Sequence, residues 1–393
     1  MDELRSQAER TRRIVGLVLY LGLMLLASCL LFGVFLIPPA LGRAPGAEYA
    51  GMAIGAALAL PAMLIYLWLP WILDRYDPEP LWALAMALGW GAVVSCGFAA
   101  VINTLVGAAA ADAGGTDFGE AMSACVSAPI VEELFKGLGV FGVFYFVRRE
   151  FDGVVDGIIY ASFIALGFAG VENVLYYGRA ATAELLHAEQ ARDALFDTVL
   201  LRGLMTPWIH PLFTSMTGLG FGLARESEKR WVRLVAPLLG YLAAVVLHAT
   251  WNTAATLSGM LTILMLPLWL LFILGFLVML IVLVVRKGRI IRDNLKDEVV
   301  LGHMTQAELT MVTSAWATWR ATFGWGGRPG REFVQAAARL ALSKWHATRA
   351  WRGGTQTVSG DFVVPLRREL KRLRGEMSRS LGRALPEPQR GLF

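Results

Sequence analysis

The chain has 393 residues, 56% of them hydrophobic and only 17% charged, with a net charge of +5 and a mean hydropathy of +0.54; soluble proteins carry about 25% charged residues. That balance excludes an ordinary soluble domain and a disordered chain, while 41 glycines without a triplet period exclude collagen and three cysteines exclude a disulfide scaffold. Apolar residues fill long blocks up to about Val285 and charges gather after it, so the expected order is a cytoplasmic N-terminal arm (1–13), a membrane body (14–285) and a basic cytoplasmic tail (286–393).

A helix crossing about 30 Å of hydrocarbon needs about 20 predominantly apolar residues. Eight such runs follow one another, at 14–38, 50–73, 81–109, 121–146, 154–177, 199–223, 234–257 and 261–285. The expected fold is therefore an all-α polytopic membrane protein of about eight transmembrane helices with a helical, basic tail. The first run follows Arg10, Arg12 and Arg13 as a secretory signal would, but it exceeds the length of a signal's apolar region and predicts an uncleaved anchor. Cys29, Cys96 and Cys125 share no CxxC spacing and read as small buried hydrophobes. Gly51-x-x-x-Gly55 permits close helix contact without naming a partner.

Orientation follows from the cations, because cytoplasmic loops retain Lys and Arg. The N-terminal arm is basic, and 111–120 has no Lys or Arg. Arg148 and Arg149 follow the fourth run, and Arg225, Lys229, Arg230 and Arg233 follow the sixth. The tail opens with Arg286, Lys287, Arg289 and Arg292, whereas the opposite side carries mainly Arg43, Arg179 and Arg192. Both termini are expected in the cytoplasm. In the tail, Thr305-x-x-Glu308 reads as a capping box opening a helix toward Arg320. Residues 332–352 and 366–383 also read as helical, with Pro365 where a first turn accepts it. A basic tail tethered at a membrane is expected on anionic lipid headgroups, not on nucleic acid, with a solvated appendage as the alternative. His303 and His346 in the tail, and His187 after the fifth run, read as surface residues.

Ionisable groups inside apolar runs cost about 2.5–3.5 kcal/mol each on insertion scales, so they are functional candidates unless a partner explains them. The fourth run holds Glu132-Glu133-Leu134-Phe135-Lys136, in which Lys136 follows one glutamate by four residues and the other by three. It is expected to neutralise one carboxylate while the other points about 100° away. The fifth run holds Glu172-Asn173, with no basic residue one turn from Glu172. The sixth holds His210 between Pro207 and Pro211, which free backbone groups and open the helix around the imidazole, and the seventh holds His248 and Asn252 on one face. At about 1.5 Å per residue, Glu133, His210, His248 and Glu172 lie about 18, 17, 14 and 8 Å from the outer ends of their runs, so the four can converge on one cavity.

Two imidazoles and a carboxylate form the ligand set of a catalytic zinc, and a second carboxylate can then act as general base. Glu172, His210 and His248 are the expected ligands, with Glu133 or Glu132 as base. Without metal, a glutamate can activate water directly while the histidines and Asn252 stabilise the oxyanion. The spacing alone leaves both routes open. HExxH, GxSxG and P-loop motifs are absent.

Glu132-Glu133-x-x-Lys136, Phe168-x-x-x-Glu172-Asn173, His210 followed by Gly218, and His248-x-x-Trp251-Asn252 occur in that order on successive apolar runs. Together they resemble the motifs of the PrsW family of intramembrane proteases, related to the prenyl-protein endopeptidases and bacteriocin-immunity proteins. Asp156-Gly157-Ile158-Ile159-Tyr160 and the run from Asp74 to Pro80 share the resemblance, which covers roughly the first 290 residues. It implies a metalloprotease-type peptidase of a bacterial cytoplasmic membrane, with Glu132, Glu133, Glu172, His210, His248 and Asn252 as the catalytic set and Lys136 and Asn173 in support. It further implies a membrane-anchored protein as substrate, in the best-known case an anti-sigma factor cut at site 1. The long basic tail departs from the family pattern. Intramembrane Glu, His and Asn also build proton relays, so a proton- or ion-coupled transporter is the alternative, and a scaffold locked by polar contacts is a third reading. Within the enzyme reading, a prenyl-protein peptidase is the competitor.

Overall fold

A computed structural model describes residues 2–73, 78–186, 193–257, 259–314, 316–352 and 359–388. Asp74–Asp77 of the motif before the third run, together with His187 and Arg192, lie outside the described residues. The described elements are all helical: α1 (Asp2–Leu41), α2 (Pro45–Tyr66), α3 (Trp68–Leu73), α4 (Leu81–Gly89), α5 (Cys96–Gly114), α6 (Thr116–Met122), α7 (Ala128–Phe146), α8 (Val154–Leu185), α9 (Ala194–Thr198), α10 (Ile209–Glu226), α11 (Arg230–Leu257), α12 (Gly259–Val300), α13 (Gln306–Val312), α14 (Ala317–Gly324), α15 (Arg328–Arg352) and α16 (Val363–Leu381). Wide π-type turns at Trp90–Ser95, Ser123–Ser127 and Val199–Met205 join α4 to α5, α6 to α7, and follow α9.

Among the described residues, six helical stretches are long and apolar enough to cross a membrane: Arg10–Leu41, Pro45–Leu73, Leu81–Gly114, Val154–Leu185, Arg230–Thr256 and Pro267–Val300. The fourth and sixth expected runs are helical but fall outside this group. The fourth is divided at Ser123–Ser127 and carries three charges in α7; the sixth is interrupted at Thr206–Trp208, where Pro207 withholds a backbone donor, and resumes as α10 with Pro211 in its first turn. The features that break these two runs are those that supply the polar residues.

The chain divides into two compact units, residues 1–70 with 79–274 and residues 71–78 with 275–393. The axis of the first is α8, every residue of which from Val154 to Gly170 is buried. A helix apolar all round is buried all round, and α8 is enclosed by α2, α4, α7 and α10. Two contacts set its distances. A Cβ on Gly55 would lie 2.4 Å from the Val174 carbonyl oxygen, so the Gly51/Gly55 pair is spent on packing α2 against α8. Gly157 of α8 and Gly218 of α10 meet so closely that a Cβ on either would lie 2.2 Å from the other's carbonyl oxygen. That contact holds α10, and with it His210, against α8. Cys96 is buried as expected and Cys125 half-buried, but Cys29 is exposed, because the outer face of α1 is apolar and needs no protein cover in lipid.

The second unit has its own core, with Ile291, Leu295, Met304, Phe333, Leu340 and Leu373 fully buried. The tail is therefore not merely a solvated appendage. Thr305 caps α13 by accepting from the Glu308 amide at 3.2 Å, while the Glu308 carboxylate accepts from the Thr305 amide at 2.6 Å. The helix so opened stops at Val312 and does not run on to Arg320, which belongs to α14. Glu298 is fully buried and accepts from Lys344 at 2.7 Å and from Arg367 at 2.7 and 2.9 Å, with His303 2.7 Å away. His303 is thus half-buried in an ion-pair cluster, and His346 is half-buried against Trp345, so neither is the free surface residue expected.

Candidate active site

Five helices (α5, α7, α8, α10 and α11) and two π-type turns supply the polar groups. On α7, Glu132, Glu133 and Lys136 occupy one buried face. Glu172 and Asn173 come from the C-terminal half of α8, His210 from the first turn of α10, and His248 and Asn252 from one face of α11. The eight expected catalytic and supporting residues line one cavity or bond to residues that do, and most are buried: Glu133 and Lys136 at 0%, His248 at 2%, Glu132 at 5% and His210 at 8% exposure.

Lys136 lies at the centre. Its ammonium donates to Glu133 Oε1 at 3.0 Å and to Glu132 Oε2 at 3.4 Å, and His210 Nδ1 lies 3.2 Å away. The expectation that it would serve one carboxylate is corrected: its long stem reaches between the two residues one turn earlier and bonds both. The phenyl face of Phe168 closes the site from α8, 3.9 Å from the ammonium.

The two glutamates of α7 have different surroundings. Glu133 is enclosed by Lys136, by the Thr214 hydroxyl donating to Oε2 at 2.9 Å, and by His248 Nδ1 3.1 Å from Oε1. Glu132 lies on the wall of a cavity of about 1310 Å³, with Asn103 Nδ2 3.5 Å from its Oε1 and His248 Nε2 3.8 Å from its Oε2. Asn103 is held in turn by the Ser127 hydroxyl at 2.7 Å. Glu172, His210, His248 and Asn252 line the same cavity. Asn252 donates to the Ala124 carbonyl at 2.9 Å, fixing α11 to the turn before α7.

Glu172 meets a partner that the spacing did not reveal. Arg202, on the turn Val199–Met205, donates to Glu172 Oε2 and to Asn173 Oδ1 at 2.8 Å, and its guanidinium stacks 3.8 Å over the Tyr176 ring. The same Oε2 faces His210 Nε2 at 3.0 Å. Arg202 and Asn103 were overlooked because neither has a suggestive neighbour one helical turn away. The usable signal for Arg202 was its being a cation inside an apolar run, the criterion that found the others.

These bonds fix the rings. A carboxylate at His210 Nε2 and another at His248 Nδ1 each accept a ring N–H, leaving His210 Nδ1 and His248 Nε2 with lone pairs. That is the carboxylate–histidine arrangement by which proteins orient metal-ligating imidazoles. The donor set fits a divalent metal: Glu132, His210 and His248 each offer a ligand atom, and these lie within 4.8 Å of one another. The carboxylate brought to the imidazoles is thus Glu132, whereas Glu172, expected in that place, sits one step back behind His210.

Comparison with known proteins identifies the family. The family described as PrsW family intramembrane metalloprotease matches residues 79–323, more than half of the chain and reaching into the tail. The protease PrsW of Geobacillus kaustophilus is 30% identical over 195 residues, 48% of this chain and 73% of the relative. The protease PrsW of Oceanobacillus iheyensis is 49% identical over a short stretch of 47 residues, 12% of this chain and 21% of the relative. No solved structure matches the chain.

Proposed function

The chain belongs to the PrsW family of intramembrane metalloproteases and is a membrane-integral peptidase, and on that premise we propose that it cuts a membrane-anchored protein at the cavity wall formed by Glu132, His210 and His248. The observation that carries this reading is the buried grouping of those three residues beside a cavity of about 1310 Å³, large enough to admit a polypeptide segment.

In this reading Glu132, His210 and His248 hold a zinc ion, which when bound supplies a Lewis acid and makes water a nucleophile near neutral pH. The chain's own residues do the rest. Glu133 and Glu172 accept the remaining ring N–H groups and keep both imidazoles in one tautomer and orientation. Glu172, bound through Oε2 to Arg202 and His210, is a positioning residue on the cavity wall, acting on His210 from the side of the ring away from Nδ1. Asn252, which gives Ala124 one amide hydrogen, has a second for the developing oxyanion. Glu133 acts through His248 and Lys136 and is a positioning residue.

The remaining assignments belong to the same proposal. The enzyme resides in a bacterial cytoplasmic membrane with both termini inside, the basic tail rests on anionic headgroups, and the substrate is a single-span regulator such as an anti-sigma factor cut at site 1. The test is a membrane-proteome comparison of cells expressing wild type or Glu132→Gln. A substrate fragment present only with wild type supports the proposal, and identical fragment sets refute it.

A further inference from the structure

We propose that Lys136 is the site's built-in counter-ion, which holds the metal-binding groups together while the protein is metal-free and must withdraw before a divalent ion can bind. The inference rests on Glu132, His210 and His248 being the metal-binding set. It goes beyond that reading by assigning α7 a device that controls loading.

The ammonium has three protons and three acceptors within reach, Glu133 Oε1 at 3.0 Å, His210 Nδ1 at 3.2 Å and Glu132 Oε2 at 3.4 Å. Its side chain is fully buried, so no water completes its shell. Two of those acceptors are lone pairs that a metal would use. Ligand bonds of roughly 2.0–2.2 Å to atoms already 3.2 and 3.4 Å from the ammonium leave no room for both cations. They would compete for the same electron pairs and repel at short range beside a fully buried ammonium. Occupation by Lys136 and by a divalent ion is therefore mutually exclusive.

Two consequences follow. Metal-free protein keeps both α7 carboxylates paired with a cation, so folding does not await the ion, unlike small domains in which metal binding and folding are one event. The affinity for metal is lowered by whatever it takes to displace the ammonium. Phe168, whose ring lies 3.9 Å from Nζ, adds to what must be given up.

The experiment uses full-length protein in detergent, stripped with a chelator and titrated with zinc against a chromophoric competitor. Lys136→Met should bind zinc at least tenfold more tightly than wild type, and Lys136→Arg no more tightly. In chelator, Lys136→Met should unfold at a lower temperature than wild type and recover when zinc is added. Equal or weaker zinc binding by Lys136→Met overturns the proposal while leaving the metal assignment standing. Zinc binding by neither protein overturns both. Should Lys136→Met fail to fold, a zinc-loaded wild-type structure decides. Nζ moved away from Glu132 and His210 supports the proposal, and Nζ still bonded to both beside a bound ion contradicts it.

Discussion

Glu133→Gln and Glu132→Gln change adjacent residues by the same atoms, yet the structure gives them different consequences. Glu133 accepts from Lys136 at 3.0 Å and Thr214 at 2.9 Å, faces His248 at 3.1 Å, and is fully buried. A glutamine there has one acceptor oxygen for three donors and turns an NH₂ group against at least one of them. Breaking a buried ion pair from one side costs about 3–5 kcal/mol. Glu132 meets Lys136 at 3.4 Å and Asn103 at 3.5 Å and opens onto the cavity, so its amide loses long contacts and can turn toward water. That cost is about 1 kcal/mol. At about 2–4 °C per kcal/mol for chains of 150–250 residues, and less for a longer one, thermal unfolding in detergent should show Glu133→Gln several degrees below Glu132→Gln. Cleavage should be lost in both. Equal unfolding temperatures, or the reverse order, would refute the division into a positioning and a metal-binding carboxylate.

Arg202→Lys should reduce cleavage by at least tenfold, because a single ammonium cannot bond Glu172 and Asn173 together while stacking on Tyr176; wild-type rates in reconstituted vesicles would contradict the clamp. Gly218→Val should destabilise the protein and abolish activity, since even a Cβ would lie 2.2 Å from the Gly157 carbonyl oxygen; unchanged melting and turnover would show that α8 and α10 do not need that contact. In the tail, Glu298→Gln leaves Lys344, Arg367 and His303 around a neutral amide. It should render residues 286–388 sensitive to limited proteolysis at protease levels that wild type survives.

The site was legible where polar residues interrupt apolar runs. Glu133, Glu172, His210 and His248 announced themselves by their insertion cost, and the depth arithmetic brought three of them within about 4 Å of one another with Glu172 farther out; the four form a connected network. The break around His210 was legible too, because Pro207 and Pro211 can do little else inside a helix. What could not be read was how partners are distributed across helices. Spacing along one helix gives Lys136 two neighbours but does not say that its stem reaches both. It cannot tell that Arg202, 30 residues away, takes Glu172, or that Glu132 is the carboxylate whose ligand atom lies within 4.8 Å of one on each imidazole. The tail's core was hidden for a related reason. Its basic charges dominate the composition, while Glu298 and Glu308 are neutralised by cations 46 to 69 residues away.

Peptide-bond hydrolysis by purified protein in proteoliposomes, with a single-span substrate and mass-spectrometric detection of the new termini, tests the central claim most directly. Wild type should generate one pair of termini at a defined bond, and Glu132→Gln, His210→Ala and His248→Ala, each folded and inserted, should generate none. Cleavage at the wild-type rate by any of the three would contradict the assignment of that buried trio as the place where the bond is broken.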